Sequence, residues 1–246
     1  MKLRDTKRIL ISTVAALLGM GSLVVCSVTL AAESDAYSIA RGGRLYDKWF
    51  EESPTAKTPE IAHPGYPESG KYKGNKGTDW RCKECHGWDY RGNEGAYAEG
   101  KHYTGFKGIG GMTGADPTSV VAVLKNQTHA MTASGLSEQD YHDLAMFVSQ
   151  GQTRSDGFID DKSKKVTGDT NAGQGYFETV CARCHGLDGK EDDQIPPLGK
   201  LANDNPWEVL HKIINGQPDE EMPALIAFGN QVAVDILAYL QTLPQE

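Results

Sequence analysis

Several things are scarce in this 246-residue sequence. No nucleotide-binding fingerprint stands out, and no nucleophile is paired with a base. Nucleotide-dependent and hydrolytic enzymes are therefore left without their machinery. Positive charge is also short: 25 Lys and Arg face 33 Asp and Glu, for a net charge of −8. A chain this acidic is a poor ligand for nucleic acid and is steered toward basic partner surfaces. Hydrophobic content is an ordinary 39%, too low for a largely membrane-embedded chain. Cysteine is limited to five residues, and glycine alone is abundant, with 28 residues that predict a loop-rich fold.

The first 32 residues read as a targeting segment. Lys2, Arg4, Lys7 and Arg8 form a basic start, and an apolar run from Ile9 to Leu30 follows. Small residues at Ala31 and Ala32 offer a cleavage site. The run is also long enough to span a bilayer, so a retained anchor is the alternative. Either way the remainder lies outside the cytoplasm, and the expected location is the periplasm. A membrane contact is expected only if this segment is retained. Cys26 sits inside the run and reads as a buried thiol. Without residues 1–32 the chain keeps 21 basic and 32 acidic residues, a net charge of −11.

Four cysteines remain, and their spacing carries the chemistry. Cys82-Lys83-Glu84-Cys85-His86 and Cys181-Ala182-Arg183-Cys184-His185 are both C-x-x-C-H, the pattern of c-type haem attachment. Two thiols three residues apart add to the two vinyl groups of one haem, and the adjacent His reaches the iron. A redox dithiol or a shared zinc ion would also use C-x-x-C pairs. A separation of 99 residues is far beyond a zinc ribbon, and the His after each pair favours haem. Two covalent haem c groups are therefore expected.

The two halves repeat beyond the motif. Asn205-Pro206 opens a helix with an N-cap and a proline at the first position, and Asp116-Pro117 does the same in the first half. Tyr141, Leu144, Ala145 and Val148 form an apolar stripe at helical spacing, matched by Ala233, Ile236, Leu237 and Leu240. Tyr176, Phe177 and Val180 predict an apolar helix face before the second motif. Between the capped helix and the last helix of each half stands a methionine, Met131 or Met222. A thioether is a soft ligand suited to haem iron, and His/Met ligation raises the potential relative to bis-His. The expected iron ligands are His86 with Met131, and His185 with Met222. His129, His102 and Met112 are competing candidates in the first half. Met146 reads as core filler; His63, His142 and His211 read as surface or supporting residues. Trp80, Trp88, Tyr90 and Trp207 are expected to pack the haem pockets.

With these residues in place, the sequence resembles class I cytochromes c, arranged in tandem as in dihaem cytochromes of the c4 type. In the second half the resemblance covers Gly173, Gly175, Tyr176 and Phe177, then Ile195-Pro196-Pro197-Leu198, Met222-Pro223 and the terminal helix. It implies that the Pro196 carbonyl accepts from His185. The first half departs from the pattern. About thirty residues intervene between its first helix and Cys82, and Gly105-Phe106-Lys107-Gly108-Ile109 stands where a Pro-Leu segment belongs. The insertion, residues 51–79, reads as a cover for the haem edge or a partner surface.

The expected architecture is mostly α: two tandem class I cytochrome c-like domains at 33–157 and 169–246, joined by a linker at 158–168 whose charged run Asp160–Lys165 is solvated. The expected function is single-electron transfer between periplasmic redox proteins with basic surfaces, not catalysis. Two alternatives stand beside it. One is an electron-transfer subunit of a larger dehydrogenase or reductase. The other is a dihaem peroxidase, which needs an open iron in the first half. A thiosulfate dehydrogenase with a Cys-ligated iron is disfavoured, because all four remaining cysteines serve attachment.

Overall fold

A computed structural model describes residues 35–246; Cys26 and the N-terminal stretch expected to serve in targeting lie outside the described residues. Residues 38–246 form one compact unit. The described residues are helices and loops without a named strand, and their only β pairing is two isolated bridges, Gly92 with Lys107 and Ile159 with Val166. No helix among them is long and apolar enough to cross a membrane.

The first half contains α1 (35–52), α2 (Cys82–His86), α3 (Pro117–Leu124) and α4 (Glu138–Met146), which runs on into a π-helical turn at Phe147–Gly151. The second half contains α5 (Thr170–Val180), α6 (Ala182–His185), α7 (Leu198–Asp204), α8 (Pro206–Asn215) and α9 (Asn230–Leu240). The caps are those expected. Asp116 accepts from the Thr118 amide at 2.7 Å, and Asn205 accepts from the Glu208 amide at 3.4 Å. Both satisfy amides that a helix start leaves without an intrahelical partner.

Each half is organised by a helix crossing at a glycine. In α1, a Cβ on Gly42 would strike the backbone carbonyl of Asp143 in α4. In α5, a Cβ on Gly173 would strike the carbonyl of Asp235 in α9. Only glycine lets the two backbones approach this closely. Four residues on, Tyr46 lies 5.2 Å from Phe147, and Phe177 lies 5.6 Å from Tyr239, ring centre to ring centre. The polar trim also repeats. Ser38 donates to Asp143, and the Asp169 amide donates to Asp235 at 2.8 Å. In the first crossing Arg41 binds both Asp140 and Asp143.

Both predicted terminal stripes are buried: Tyr141, Leu144 and Ala145 in α4 with Val148 in the π-helical turn after it, and Ala233, Ile236, Leu237 and Leu240 in α9. The stripe expected on α5 is only partly a core face. Phe177 is buried, but Tyr176 and Val180 are about two-fifths exposed, at 40% and 42%. Gly173 and Phe177, four residues apart, face α9, and the i, i+4 pair Tyr176 and Val180 falls on another side of the helix.

The halves share a buried seam. Trp88 and Tyr97 belong to the same apolar cluster as Phe177, Trp207, Leu210 and Ile213. His211 in α8, expected near the surface or in support of a haem, is 1% exposed and bridges the halves. Its Nε2–H donates to the Gly43 carbonyl at 2.9 Å, and its Nδ1 accepts from the Tyr90 hydroxyl at 2.7 Å. Beside it, the buried Asp47 carboxylate binds Lys212 at 2.7 Å and also Arg81. The charged run at Asp160–Lys165 is a tight turn closed by the Ile159–Val166 bridge, with Ile159 buried beneath it.

Candidate functional site

Each C-x-x-C-H motif is a short helix stopped by a glycine of positive φ, Gly87 at 80° and Gly186 at 72°. The carbonyl of each His then receives an amide from the following loop, His86 from Gly92 at 2.9 Å and His185 from Glu191 at 3.1 Å. In the first half, α1 clamps the motif. The Tyr46 hydroxyl donates to the Gly87 carbonyl at 2.7 Å, and the Trp49 indole donates to the Trp80 carbonyl at 3.0 Å.

Around the first motif is a cavity of about 390 Å³. Cys82, Cys85 and His86 are in its wall together with Met131 and His129, and Tyr46, Trp80, Phe106, Val120 and Leu144 give it an apolar surface. The insertion contributes His63 and Gly65 to the lining, so this part of it covers the site. Asp79, 1% exposed, organises that cover by accepting from the amides of His63 and Gly74 at 3.2 and 3.1 Å. His86 Nδ1–H donates to the Lys107 carbonyl at 2.6 Å. The Lys107 carbonyl thus accepts from His86 where the first half lacks a Pro-Leu segment. The proton held at Nδ1 leaves the Nε2 lone pair free for a metal.

Other candidates are placed elsewhere. His102 stacks on Tyr97 at 4.7 Å and stands 3.5 Å from the buried Glu84, outside the cavity lining. His142 is exposed. Of the four aromatics expected to pack haem pockets, Trp80 lines the first cavity. Trp88 and Trp207 pack in the shared seam, and Tyr90 bonds His211. Bulky aromatics near a motif carry no direction in sequence, and here the seam between halves claims three of them.

The second motif is more open. Cys181 is half-buried and Cys184 exposed. Leu187 and Phe228 are each 68% exposed, and Ile195 is 38% exposed. Met222 is half-buried in the loop after α8. His185 Nδ1 is buried without a hydrogen-bond partner, so the bond implied from His185 to the Pro196 carbonyl is not formed. Pro196 is itself exposed.

The thiols do not form disulfides. Burial pushes Cys82 and Cys85 up to about 12 and Cys181 up to about 11. A redox dithiol needs the opposite shift, so these sulfurs suit covalent attachment better than thiolate chemistry. Burial holds His86, His129 and His185 below the ordinary imidazole value, which keeps them neutral, the form that binds metal.

The family model described as cytochrome C oxidase, cbb3-type, subunit III matches residues 168–240. The match indicates a c-type cytochrome domain over residues 168–240. No curated protein and no solved structure matches the chain. A cytochrome domain of this kind implies covalently bound haem c and electron transfer. The residues present fit that group. The orphaned His185 nitrogen lies in the second motif, and the uncovered apolar side chains of Leu187 and Ile195 follow it within ten residues. In the first half the fit lies in an apolar cavity with both cysteines and a tautomer-fixed imidazole in its wall.

Proposed function

We propose that the chain holds two haem c groups and carries single electrons between exported redox partners. Cys82 and Cys85 hold the first through thioethers, with His86 as proximal ligand. Cys181 and Cys184 hold the second, with His185 as proximal ligand and Met222 as the sixth. Met131 and His129 both line the first cavity and compete for its sixth position. A haem iron held this way supplies reversible one-electron chemistry.

The chain's own residues set the conditions for it. Lys107 O fixes the proton on His86 Nδ1, and His63 and Gly65 of the insertion line the first cavity together with Trp80 and Phe106. Leu187 and Phe228 in the second half are each exposed apolar side chains open to a partner. The net charge of −11 beyond residue 32 steers basic partner surfaces toward it.

One observation carries the reading: the same motif helix, glycine stop and glycine helix crossing occur in both halves. Spectroelectrochemical titration tests it and should resolve two one-electron steps per chain. Met222→Ala should open the second site to carbon monoxide in the reduced protein and lower one of the two potentials. A single redox step, or a Met222→Ala protein with unchanged potentials, would argue against these assignments.

A second reading has support in the matched family, whose description is that of an oxidase subunit. The chain would then pass electrons within a larger complex. Co-purification of a catalytic subunit from the native source separates the two.

A further inference from the structure

We infer that His129, rather than Met131, is the sixth ligand at the first site, so that this iron is held between two imidazoles. The inference rests on the reading of Cys82–His86 as a haem attachment motif.

His86 and His129 both line the cavity that contains Cys82 and Cys85. Their ring centres are 6.2 Å apart and their planes differ by 27°. Two imidazoles bonded to one metal from opposite sides need almost this spacing: two bonds of ~2.0 Å, with roughly 1.1 Å from each nitrogen to its ring centre, give about 6.2 Å. As a plain aromatic contact, 6.2 Å falls toward the long end of the range.

The nitrogen inventory agrees. His129 Nδ1–H donates to the Val123 carbonyl at 3.0 Å, with Asn126 Oδ1 at 3.2 Å. His86 Nδ1–H donates to the Lys107 carbonyl. In each ring, Nδ1 is held by a backbone carbonyl and Nε2 keeps its lone pair. This is how ligating histidines are oriented.

The backbone at His129 is also fixed. Asn126 Oδ1 accepts from the Thr128 and His129 amides at 2.9 and 3.1 Å. The His129 carbonyl accepts from His63 Nε2–H at 3.1 Å. His63 is thereby removed as a ligand, since its Nδ1 also accepts from the Gly65 amide at 3.0 Å. Ala130 follows in the left-handed region, at φ 54°, and turns the chain between His129 and Met131. Met131 is 5% exposed and packs in the cluster of Leu124, Tyr141 and Leu144. Its carbonyl accepts from the Tyr141 hydroxyl at 2.6 Å. Its role is to seat this loop on α4.

The consequence is an asymmetric pair. Bis-imidazole ligation favours the ferric state more than imidazole–thioether ligation, so the first site has the lower potential.

The test uses the purified holoprotein, its ferric electron paramagnetic resonance and near-infrared magnetic circular dichroism, and redox titration. The expected spectrum contains one bis-imidazole and one imidazole–thioether centre in equal amounts. His129→Ala should abolish the bis-imidazole signature and let the reduced first site bind carbon monoxide. His129→Met should raise the lower potential, and Met131→Leu should leave the bis-imidazole signature in place. Two thioether centres in the unmodified protein would overturn the assignment, as would loss of a thioether signal on Met131→Leu. If His129→Ala does not fold, the spectrum of the unmodified protein decides alone. Failure of the underlying attachment reading would appear separately, as no haem mass on a peptide containing Cys82 and Cys85.

Discussion

The two halves are built on one frame and finished differently. Both cross a pair of helices at a glycine, Gly42 on Asp143 and Gly173 on Asp235, and both stop a motif helix with a positive-φ glycine. The first half then encloses its site with inserted residues and satisfies its proximal imidazole through Lys107. The second leaves Cys184, Leu187 and Phe228 exposed and His185 Nδ1 without a partner. A shared scaffold thus supports two degrees of enclosure. The difference lies in the loops, where insertions cost least.

The largest expected effect comes from breaking the shared frame. Gly42→Ala and Gly173→Ala each drive a methyl group into a backbone carbonyl that cannot move without separating the helices. Each should cost ~3 kcal/mol or more, read as a fall in the denaturation midpoint. Equal losses would show that the crossings do the same job in both halves. A loss confined to Gly173 would show that the first half is held by its Arg41, Asp140 and Asp143 cluster instead.

Next is the seam that joins the halves. Asp47→Ala leaves Lys212 and Arg81 facing one another without their carboxylate. Both cations keep some solvent, so the expected cost is about 2–3 kcal/mol. Burial alone would raise the Asp47 carboxyl, but Lys212 and Arg81 hold it at about 2, below the usual 3.8. This contribution is therefore complete above about pH 4 and is lost as pH falls toward 2.

His211 supplies a second acid-sensitive element at the same seam. Burial lowers it to about 4, below the ordinary 6.5; Asp47 pulls the other way, while Lys212 and Arg81 add to the lowering. Its single proton is on Nε2, and Nδ1 is occupied by the Tyr90 hydroxyl. The unfolded chain takes up a proton first as pH drops. Stability from the neutral imidazole is thus full above 6.5 and declines down to about 4, by on the order of 3 kcal/mol. Stability measured from pH 7 to 4 should show this decline in the unmodified protein, and His211→Gln should flatten it. An unchanged slope in that variant would remove His211 as the cause.

The smallest effect sharpens the comparison at the capped helices. Asp116→Ala and Asn205→Ala should each lower the denaturation midpoint slightly. The Asp116 loss should be the larger, since its bond to the Thr118 amide is the shorter of the two, 2.7 Å against 3.4 Å.

What was legible in the sequence was local chemistry. C-x-x-C-H, a capping residue before proline, and stripes at helical spacing each depend on side chains a few residues apart; the motif helices, the caps and both terminal stripes appear in the structure, while the α5 stripe is buried only at Phe177. The crossing glycine of the first half was harder to see, because forty residues and an insertion separate Gly42 from Cys82. The proximal acceptor was illegible in principle, since every residue has a carbonyl and only the fold selects Lys107. His211 looked polar enough for the surface. Its burial depends on two partners, Gly43 and Tyr90, more than a hundred residues away. The internal repeat pointed to Met131 by its match to Met222, whereas the geometry brings His129 to His86, through a left-handed turn at Ala130 that residue type alone does not announce.

Intact mass measured under denaturing conditions decides whether both halves carry a covalent haem. The expected mass is the polypeptide plus two haems, falling to one haem when Cys82 and Cys85 are replaced by alanine and to one when Cys181 and Cys184 are. A chain with a single haem mass in the unmodified protein, or haem released into acidified solvent, would contradict it.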